Sequence, residues 1–325
     1  MIQVGIAGLG YWGPNLARNF DELADLRWLC DVEPGLRERM SARYPRARTT
    51  GDFDELLADA DLEAVVIATP VPTHYELAKR ALQAGKHVLV EKPPAMRAAE
   101  MEELCALATE RDLVLMPAHL LLYHPGVAML KGLVDEGALG DVLCVYGNRQ
   151  NLGKIRQDEN ALWSLGVHDL SVILHLLGEE PSELRADGNA FLTPGVEDVV
   201  FCYLRFPSGK IAHMHLSWLD PHKVRRITVV GRDKMVVFDD MELEHKVTVY
   251  EKAAWKPAER YGEWQTRTGD KFSPKISNDE PLKLECQHFL SLVEAGPGDH
   301  GEARAGLAVV RALEQLQSSL AAVPA

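Results

Sequence analysis

The sequence predicts an α/β protein whose first third forms a doubly wound parallel sheet. Three observations predict it. Short apolar runs of four to six residues recur along residues 1–120, helical stretches of ten or more residues separate them, and turn residues close the segments. That alternation is the signature of parallel βαβ units. Beyond residue 120 the pattern changes, and strands follow one another with few helices between them.

Taken in order, Ile2–Ala7 is the first strand, followed by Gly8-Leu9-Gly10-Tyr11-Trp12-Gly13 and a helical stretch to Phe20. Leu26–Cys30 is the second strand and ends at Asp31, after which Pro34–Tyr44 reads as a helix with proline in its first turn. Ala64–Ala68 and His87–Val90 are strands, joined by a helix over Thr73–Ala84 that stops at Gly85. A helix over Met96–Glu110 and a strand over Leu113–Met116 complete a first domain at 1–120, leaving 121–325 as a second. The second domain opens with a helix over Pro125–Glu136 and a strand over Asp141–Arg149. Strands follow near 182–190, 197–206, 210–219, 224–230, 234–239 and 246–250. Lys252–Glu280, rich in Trp, Lys, Gly, Ser and Pro, reads as an irregular excursion, and Pro281–Leu292 and Arg304–Leu320 as closing helices.

Composition narrows the function classes. With 46% hydrophobic and 26% charged residues, the 325-residue chain has the profile of a folded soluble protein too long for one core. Its net charge of −13, from 48 acids against 35 Lys and Arg, excludes a general nucleic-acid binder or membrane-surface protein. One small anionic ligand in a locally basic pocket stays compatible with that balance. The five cysteines are scattered singly, which argues against a disulfide framework or a zinc site and for a reducing compartment. No metal site is expected. With no signal-peptide pattern at Met1-Ile2-Gln3-Val4 and no apolar run near the ~20 residues a span requires, the expected location is the cytoplasm.

The glycine segment carries the first functional signal. Gly-x-Gly-x-x-Gly is weak alone, but here it follows a strand directly and opens a helix, as a dinucleotide fingerprint requires. Gly8 permits the tight turn, Gly10 lets backbone approach a pyrophosphate, and Gly13 lets helix and strand pack closely. The helix N-terminus then offers N–H groups to the phosphates. Asp31, about 20 residues on, suits an adenosine ribose and repels a 2′-phosphate, which favours NAD over NADP. Arg37, one turn into the next helix, works against that preference, and Asp31 has a plainer role as a helix cap.

Two more segments lie at the carboxyl ends of strands, the edge where open α/β sheets hold ligands. They are Ala68-Thr69-Pro70-Val71-Pro72-Thr73-His74 and Val90-Glu91-Lys92-Pro93-Pro94. With the glycine segment, in this order and spacing, the first 120 residues resemble the glucose–fructose oxidoreductase/inositol dehydrogenase family. The resemblance implies an N-terminal Rossmann domain and a C-terminal α/β domain with a large, open, mostly antiparallel sheet, often used to form homodimers or homotetramers. It implies that Tyr11 and Trp12 in the glycine segment, Thr69, Pro70 and His74 line the cofactor, with Glu91 and Lys92 beside the nicotinamide. It also implies that the C-terminal helices pack back on the first domain. Physically, an ammonium at Lys92 suits the task of orienting a hydroxyl and stabilising its developing alkoxide.

The family's catalytic histidine aligns with His168, in Leu162-Trp163-Ser164-Leu165-Gly166-Val167-His168-Asp169. An imidazole titrating near ~6.5 suits removal of a hydroxyl proton. Ser164 stands where the family usually has Asp, so the orientation of His168 needs another source. Asp169 points about a quarter-turn away, and His175 is a rival on a similar face. Residues 148–156 and 159–164 resemble the nucleotide-sugar branch, which includes UDP-N-acetylglucosaminuronate 3-dehydrogenases, and His119–Pro125 fits the same picture.

Two basic islands bear on the substrate. Arg149, Lys154 and Arg156 precede His168, and Arg205, Lys210, Lys223, Arg225, Arg226 and Arg232 form the second island. Both suit a phosphate- or carboxylate-bearing substrate. For the second island, cations that discourage strand-edge pairing are a serious competing account. The sequence therefore points to hydride transfer between NAD and a secondary alcohol, C3 in the implied branch, of a nucleotide-linked sugar. Lys92 and His168 are its catalytic pair, and Arg149, Lys154, Arg156, Trp163 and Ser164 its substrate contacts. A free polyol or aldose dehydrogenase and a non-catalytic NAD-bound regulator remain as alternatives.

Overall fold

A computed structural model describes residues 1–153, 155–157, 159–256, 263–296 and 298–321. The chain divides into two units. Met1–Tyr123 with Asp279–Arg311 form the first, and His124–Asn278 with the residues from Ala312 onward form the second.

In the first unit the elements run β1 (Gln3–Ala7), α1 (Gly13–Leu23), β2 (Asp25–Cys30), α2 (Pro34–Arg43), β3 (Arg48–Thr50) and α3 (Phe53–Leu57). They continue with β4 (Ala64–Ile67), α4 (His74–Gln83), β5 (His87–Glu91), α5 (Ala98–Glu110) and β6 (Leu115–Ala118). All six strands are parallel, in the order β3-β2-β1-β4-β5-β6. The order reverses between β1 and β4, which creates the crevice where such sheets bind ligands. Both faces are covered, so β4 reads as the unbroken apolar run Ala64-Val65-Val66-Ile67, every residue buried.

β3 and α3 lie outside the sequence reading. Arg48-Thr49-Thr50 has no apolar run, and only Thr50 is buried. β6 lies two residues later than expected and includes Pro117, which the edge position tolerates because one side of that strand needs no ladder donors. The segment before α4 is one turn of 3-10 helix over Val71–Thr73.

In the second unit come α6 (Pro125–Asp135), β7 (Val142–Gln150), a wide π-helical turn over Leu162–Gly166, and α7 (Val167–Leu177). There follow β8 (Glu183–Asn189), β9 (Val199–Arg205), β10 (Ile211–Ser217), β11 (Val224–Gly231), β12 (Met235–Asp239), β13 (Val247–Trp255) and β14 (Gln265–Phe272). They form one eight-stranded sheet ordered β14-β13-β12-β11-β7-β10-β9-β8, antiparallel except where β10 pairs with β7. The stretch expected to be irregular is corrected here: it holds the end of β13 and all of β14, paired in an antiparallel ladder. β14 has no buried face, so no hydrophobic alternation marks it.

The last helices are α8 (Pro281–Ala295) and α9 (Gly301–Ala321). Leu282, Cys286, Phe289 and Leu290 of α8 enter the apolar cluster beneath β1, with Leu16 and Phe20 of α1. Ala303, Leu307 and Val310 of α9 enter the cluster on the other face of that sheet, with Met101 and Leu104 of α5. Gly306 lets α9 approach closely, since a Cβ there would stand 2.4 Å from Pro117. Among the described residues no helix is long and apolar enough to cross a membrane.

Candidate active site

In the first unit the glycine segment sits at the end of β1, on one side of the crevice. Gly8 adopts φ +94°, and its N–H donates to the Cys30 carbonyl at 2.9 Å. A Cβ on Gly8 would lie 2.5 Å from the Ala68 carbonyl, and one on Gly13 would lie 2.2 Å from the Gly8 oxygen. Gly10 has open space instead. The loop is thus packed tightly on its inner side and bare at its middle, which leaves backbone accessible to a pyrophosphate. α1 begins beneath it with no side-chain cap at Trp12, so its first N–H groups are not taken by a capping side chain. Tyr11 stands out from the loop at 86% exposed, edge-on to Trp12. These features fit a dinucleotide.

Asp31 closes the other end of the loop. Its Oδ2 accepts from the Leu9 N–H at 2.7 Å and its Oδ1 from the Glu33 N–H at 2.9 Å. Its capping role at α2 passes to Glu33, which accepts from the Gly35 N–H. Arg37 donates to the Asp31 and Val32 carbonyls at 2.6 and 3.0 Å, so that guanidinium is engaged by the backbone at the end of β2.

The two remaining segments lie at the ends of β4 and β5, and His74 joins them from the inside. Its ring is 1% exposed, with Nε2 2.7 Å from the Thr69 carbonyl and Nδ1 2.8 Å from the Pro93 carbonyl. Burial holds the His74 pKa below the ordinary histidine value, although both carbonyls favour the charged ring. His74 therefore acts on any ligand through the loops it holds, whereas Thr69 and Pro70 lie in the loop itself. The Thr73 hydroxyl donates to the Pro70 carbonyl at 2.8 Å and lies 2.6 Å from the Thr69 hydroxyl. Glu91 and Lys92 end β5, and the Glu91 carboxyl accepts from the Lys92 N–H at 3.3 Å. Glu91 keeps an opening to solvent, yet burial pushes its carboxyl up to about 7, against the pull of Lys92. His119, at the end of β6, is buried and held down at about 4 by desolvation.

In the second unit the site segment runs from β7 through the π-helical turn into α7. Asn160 anchors it: its amide donates to Glu197 at 2.5 Å and to Gln317 at 2.8 Å, and its oxygen accepts from the Trp163 N–H. Gly166 seats the wide turn against β10, since a Cβ there would stand 2.8 Å from Leu216. α7 then presents His168 as a half-buried side chain, while His175 is exposed. Ser164 and Trp163 are both buried, and the Ser164 hydroxyl accepts from the Trp218 indole at 3.2 Å.

The structure gives the expected cationic substrate contacts partners within the chain. The Arg149 guanidinium is 8% exposed and donates through Nε and Nη2 to Asp169 Oδ1, each at 2.7 Å. Arg149 and Asp169 thus form a buried ion pair. Arg156 pairs with Glu159, so its charge is balanced locally. Lys154 lies outside the described residues. Five of the six cations of the second island have acidic partners: Arg205 pairs with Glu183, Lys210 with Glu179, Arg225 with Asp240, Arg226 with Asp239 and Arg232 with Asp141. Burial raises the Cys30 and Cys105 thiols to about 11 and that of Cys202 to about 12, which disfavours their thiolate forms.

A doubly wound sheet with this glycine loop at its crevice, in a chain that carries a second, antiparallel sheet, defines a dinucleotide-binding oxidoreductase. Comparison with known proteins supplies the family. Residues 2–119 match the oxidoreductase family with an NAD-binding Rossmann fold, and residues 127–237 match the GFO/IDH/MocA C-terminal domain. The chain belongs to the GFO/IDH/MocA oxidoreductase family. It is 30% identical to UDP-N-acetylglucosamine 3-dehydrogenase of Acidithiobacillus ferrooxidans over 254 residues, 78% of each chain. A solved structure of that enzyme superposes with a TM-score of 0.83 at 26% identity, over 98% of this chain and 97% of that one. The chain is also 24% identical to scyllo-inositol 2-dehydrogenase (NAD(+)) of Bacillus subtilis, over 91% of this chain and 87% of the relative.

Proposed function

We propose that the protein is an NAD-dependent dehydrogenase acting on a secondary alcohol of a nucleotide-linked sugar, at C3 of a UDP-N-acetylhexosamine-type ring. The observation that carries this reading is the similarity to UDP-N-acetylglucosamine 3-dehydrogenase across 78% of both chains. NAD is preferred to NADP because Asp31 places a carboxylate at the end of β2, while Arg37 is held by two backbone carbonyls there. When bound, the nicotinamide supplies the acceptor for the hydride that leaves carbon. Lys92 orients the hydroxyl and stabilises the charge that develops on its oxygen. His168 takes the hydroxyl proton. In the reductive direction the same two groups return the proton and steady the oxygen.

A second reading, oxidation of a free polyol, draws on the ion pairs. Arg149 and Arg156 are already balanced by Asp169 and Glu159, and a neutral polyol requires no phosphate-binding cation. The test is NADH formation against a panel of UDP-N-acetylglucosamine, its uronate, dTDP-hexoses, myo-inositol and scyllo-inositol. Turnover of a UDP-sugar alone supports the first reading. Turnover of an inositol without any nucleotide sugar overturns it, and tight NAD binding without turnover points to a regulator.

A further inference from the structure

His74 is the first residue of α4, and its ring bridges the loops that follow β4 and β5. It is 1% exposed, with Nε2 2.7 Å from the Thr69 carbonyl oxygen and Nδ1 2.8 Å from that of Pro93. Both partners are backbone acceptors and have no proton to give. A neutral imidazole carries one N–H and one lone pair. Either neutral tautomer therefore satisfies one carbonyl and sets its lone pair against the other at hydrogen-bond distance. The imidazolium, with an N–H on each nitrogen, satisfies both.

The bridge is continuous with the glycine loop on one side and with Lys92 on the other. The Ala68 N–H donates to the Ala7 carbonyl at 2.7 Å, and a Cβ on Gly8 would lie 2.6 Å from the Thr69 nitrogen. Pro93 follows Lys92 directly. Contacts thus run from Gly8 through Thr69, His74 and Pro93 to the backbone of Lys92. Two effects oppose the second proton on the ring: burial lowers the His74 pKa, and the Lys92 ammonium adds to that. The other charges on the elements around it are engaged nearby. Glu91 accepts from the Lys92 N–H, Lys79 of α4 pairs with Glu103 of α5, to which the Tyr75 hydroxyl also donates, and Arg97 pairs with Glu100. Glu76 lies in the first turn of α4 itself, and Asp31 at the end of β2 accepts from Leu9 and Glu33. Two carbonyls therefore hold the proton against burial and one neighbouring cation, and a ring in that balance changes charge in response to small gains.

Resting on the reading that the glycine loop and these two loops line the dinucleotide, we propose that His74 is a positioning residue that ties the two loops together as an imidazolium, and that dinucleotide binding draws a proton onto its ring. In the neutral ring one of the two bonds is lost, and the loop that bore it is released. A dinucleotide that touches both loops binds best when they are tied, so it favours the protonated ring, and by reciprocity the proton favours the dinucleotide. The proton comes from solvent and stays on the ring, and no bond of the cofactor changes. Affinity for NADH is then greatest at acid pH. It falls by up to about tenfold per pH unit between the midpoints of the free and the bound ring, and levels off above the second.

The test is calorimetry of NADH binding to the full chain at neutral pH in buffers of different ionisation enthalpy, which counts the protons taken up. Nitrogen NMR of the chain labelled at histidine reads the charge of each ring. The wild type should take up a fraction of a proton on binding. The ring signals absent from His74→Gln should move, on adding NADH, towards those of an imidazole protonated at both nitrogens. His74→Gln should lose that uptake and the pH dependence of affinity, because a side-chain amide does not change charge. A merely structural role would weaken binding equally at every pH. Glu91→Gln removes the neighbouring carboxyl that titrates near neutrality, at about 7, and should keep the uptake. If His74→Gln does not fold, His74→Asn supplies the assignment and the wild-type proton count decides. NADH binding with no proton uptake, a His74 ring neutral in the complex, or an uptake that survives in His74→Gln and vanishes in Glu91→Gln would overturn the proposal alone. Absence of NADH binding would overturn the reading of these loops as the cofactor site, and the proposal with it, so the two failures are told apart.

Discussion

Replacing Arg149 with Ala separates a structural cation from a substrate-binding one. The pair it breaks is nearly dry, with side-chain exposures of 8% for Arg149 and 1% for Asp169. Removing one partner of such a pair leaves an uncompensated buried charge, at a cost of about 3–5 kcal/mol. Asp169 has little other support. Its Oδ2 has no hydrogen-bond partner among the described residues, and a Cβ on Gly147 would stand only 3.0 Å from that oxygen. The cost should be read from urea unfolding followed by tryptophan fluorescence, since Trp163 and Trp218 both lie in the second unit. The pH dependence has a definite sign. Burial already holds the Asp169 carboxyl above the usual aspartate range, against the pull of Arg149. Without Arg149 it rises further, so the fold binds that proton more tightly than the unfolded chain does. The deficit of Arg149→Ala should then be smallest at acid pH and grow as pH climbs through the window between the unfolded and folded values. The double change Arg149→Met with Asp169→Leu should recover most of the loss. Stability within about 0.5 kcal/mol of wild type at neutral pH, with only the substrate KM raised, would refute the argument.

Two further predictions concern the reacting groups and the cofactor loop. Lys92→Ala and His168→Ala should each lower kcat by roughly 10²–10⁴ with the true substrate, and near-normal rates in both would sink the assigned roles. Gly8→Ala places a Cβ 2.5 Å from the Ala68 carbonyl at a φ of +94°, so the loop must move. The backbone cost alone is about 1–3 kcal/mol, which corresponds to at least a ~5-fold loss of NADH affinity in a fluorescence titration. Unchanged affinity would show that the loop does not hold the dinucleotide.

The first sheet was legible because its strands are buried on both faces and its glycines have steric jobs. Gly8, Gly13, Asp31 and His74 all fall where strand ends and spacing placed them. β14 was not legible because it buries nothing, and burial is what writes periodicity into a sequence. The ion pairs were hidden for a different reason. A count of cations along the chain does not see partners across a sheet, and Arg226 finds Asp239 directly opposite in the β11–β12 register. That pairing was available to inspection, since both residues lie equally far from the tight turn after Gly231. Arg149 and Asp169 offered no such signal, because helix rotation over a strand decides whether they meet.

The placement of α8 and the first half of α9 also bears on how the chain matures. The nucleotide-binding sheet is written within the first 118 residues, but Leu282, Phe289, Ala303 and Leu307 help fill its two apolar layers. A nascent chain emerging from the ribosome must carry that sheet with uncovered apolar surface while the second sheet is synthesised. Closure of the cofactor half waits for α8 and the first half of α9, so a product that stops short of α8 lacks part of the domain it began with.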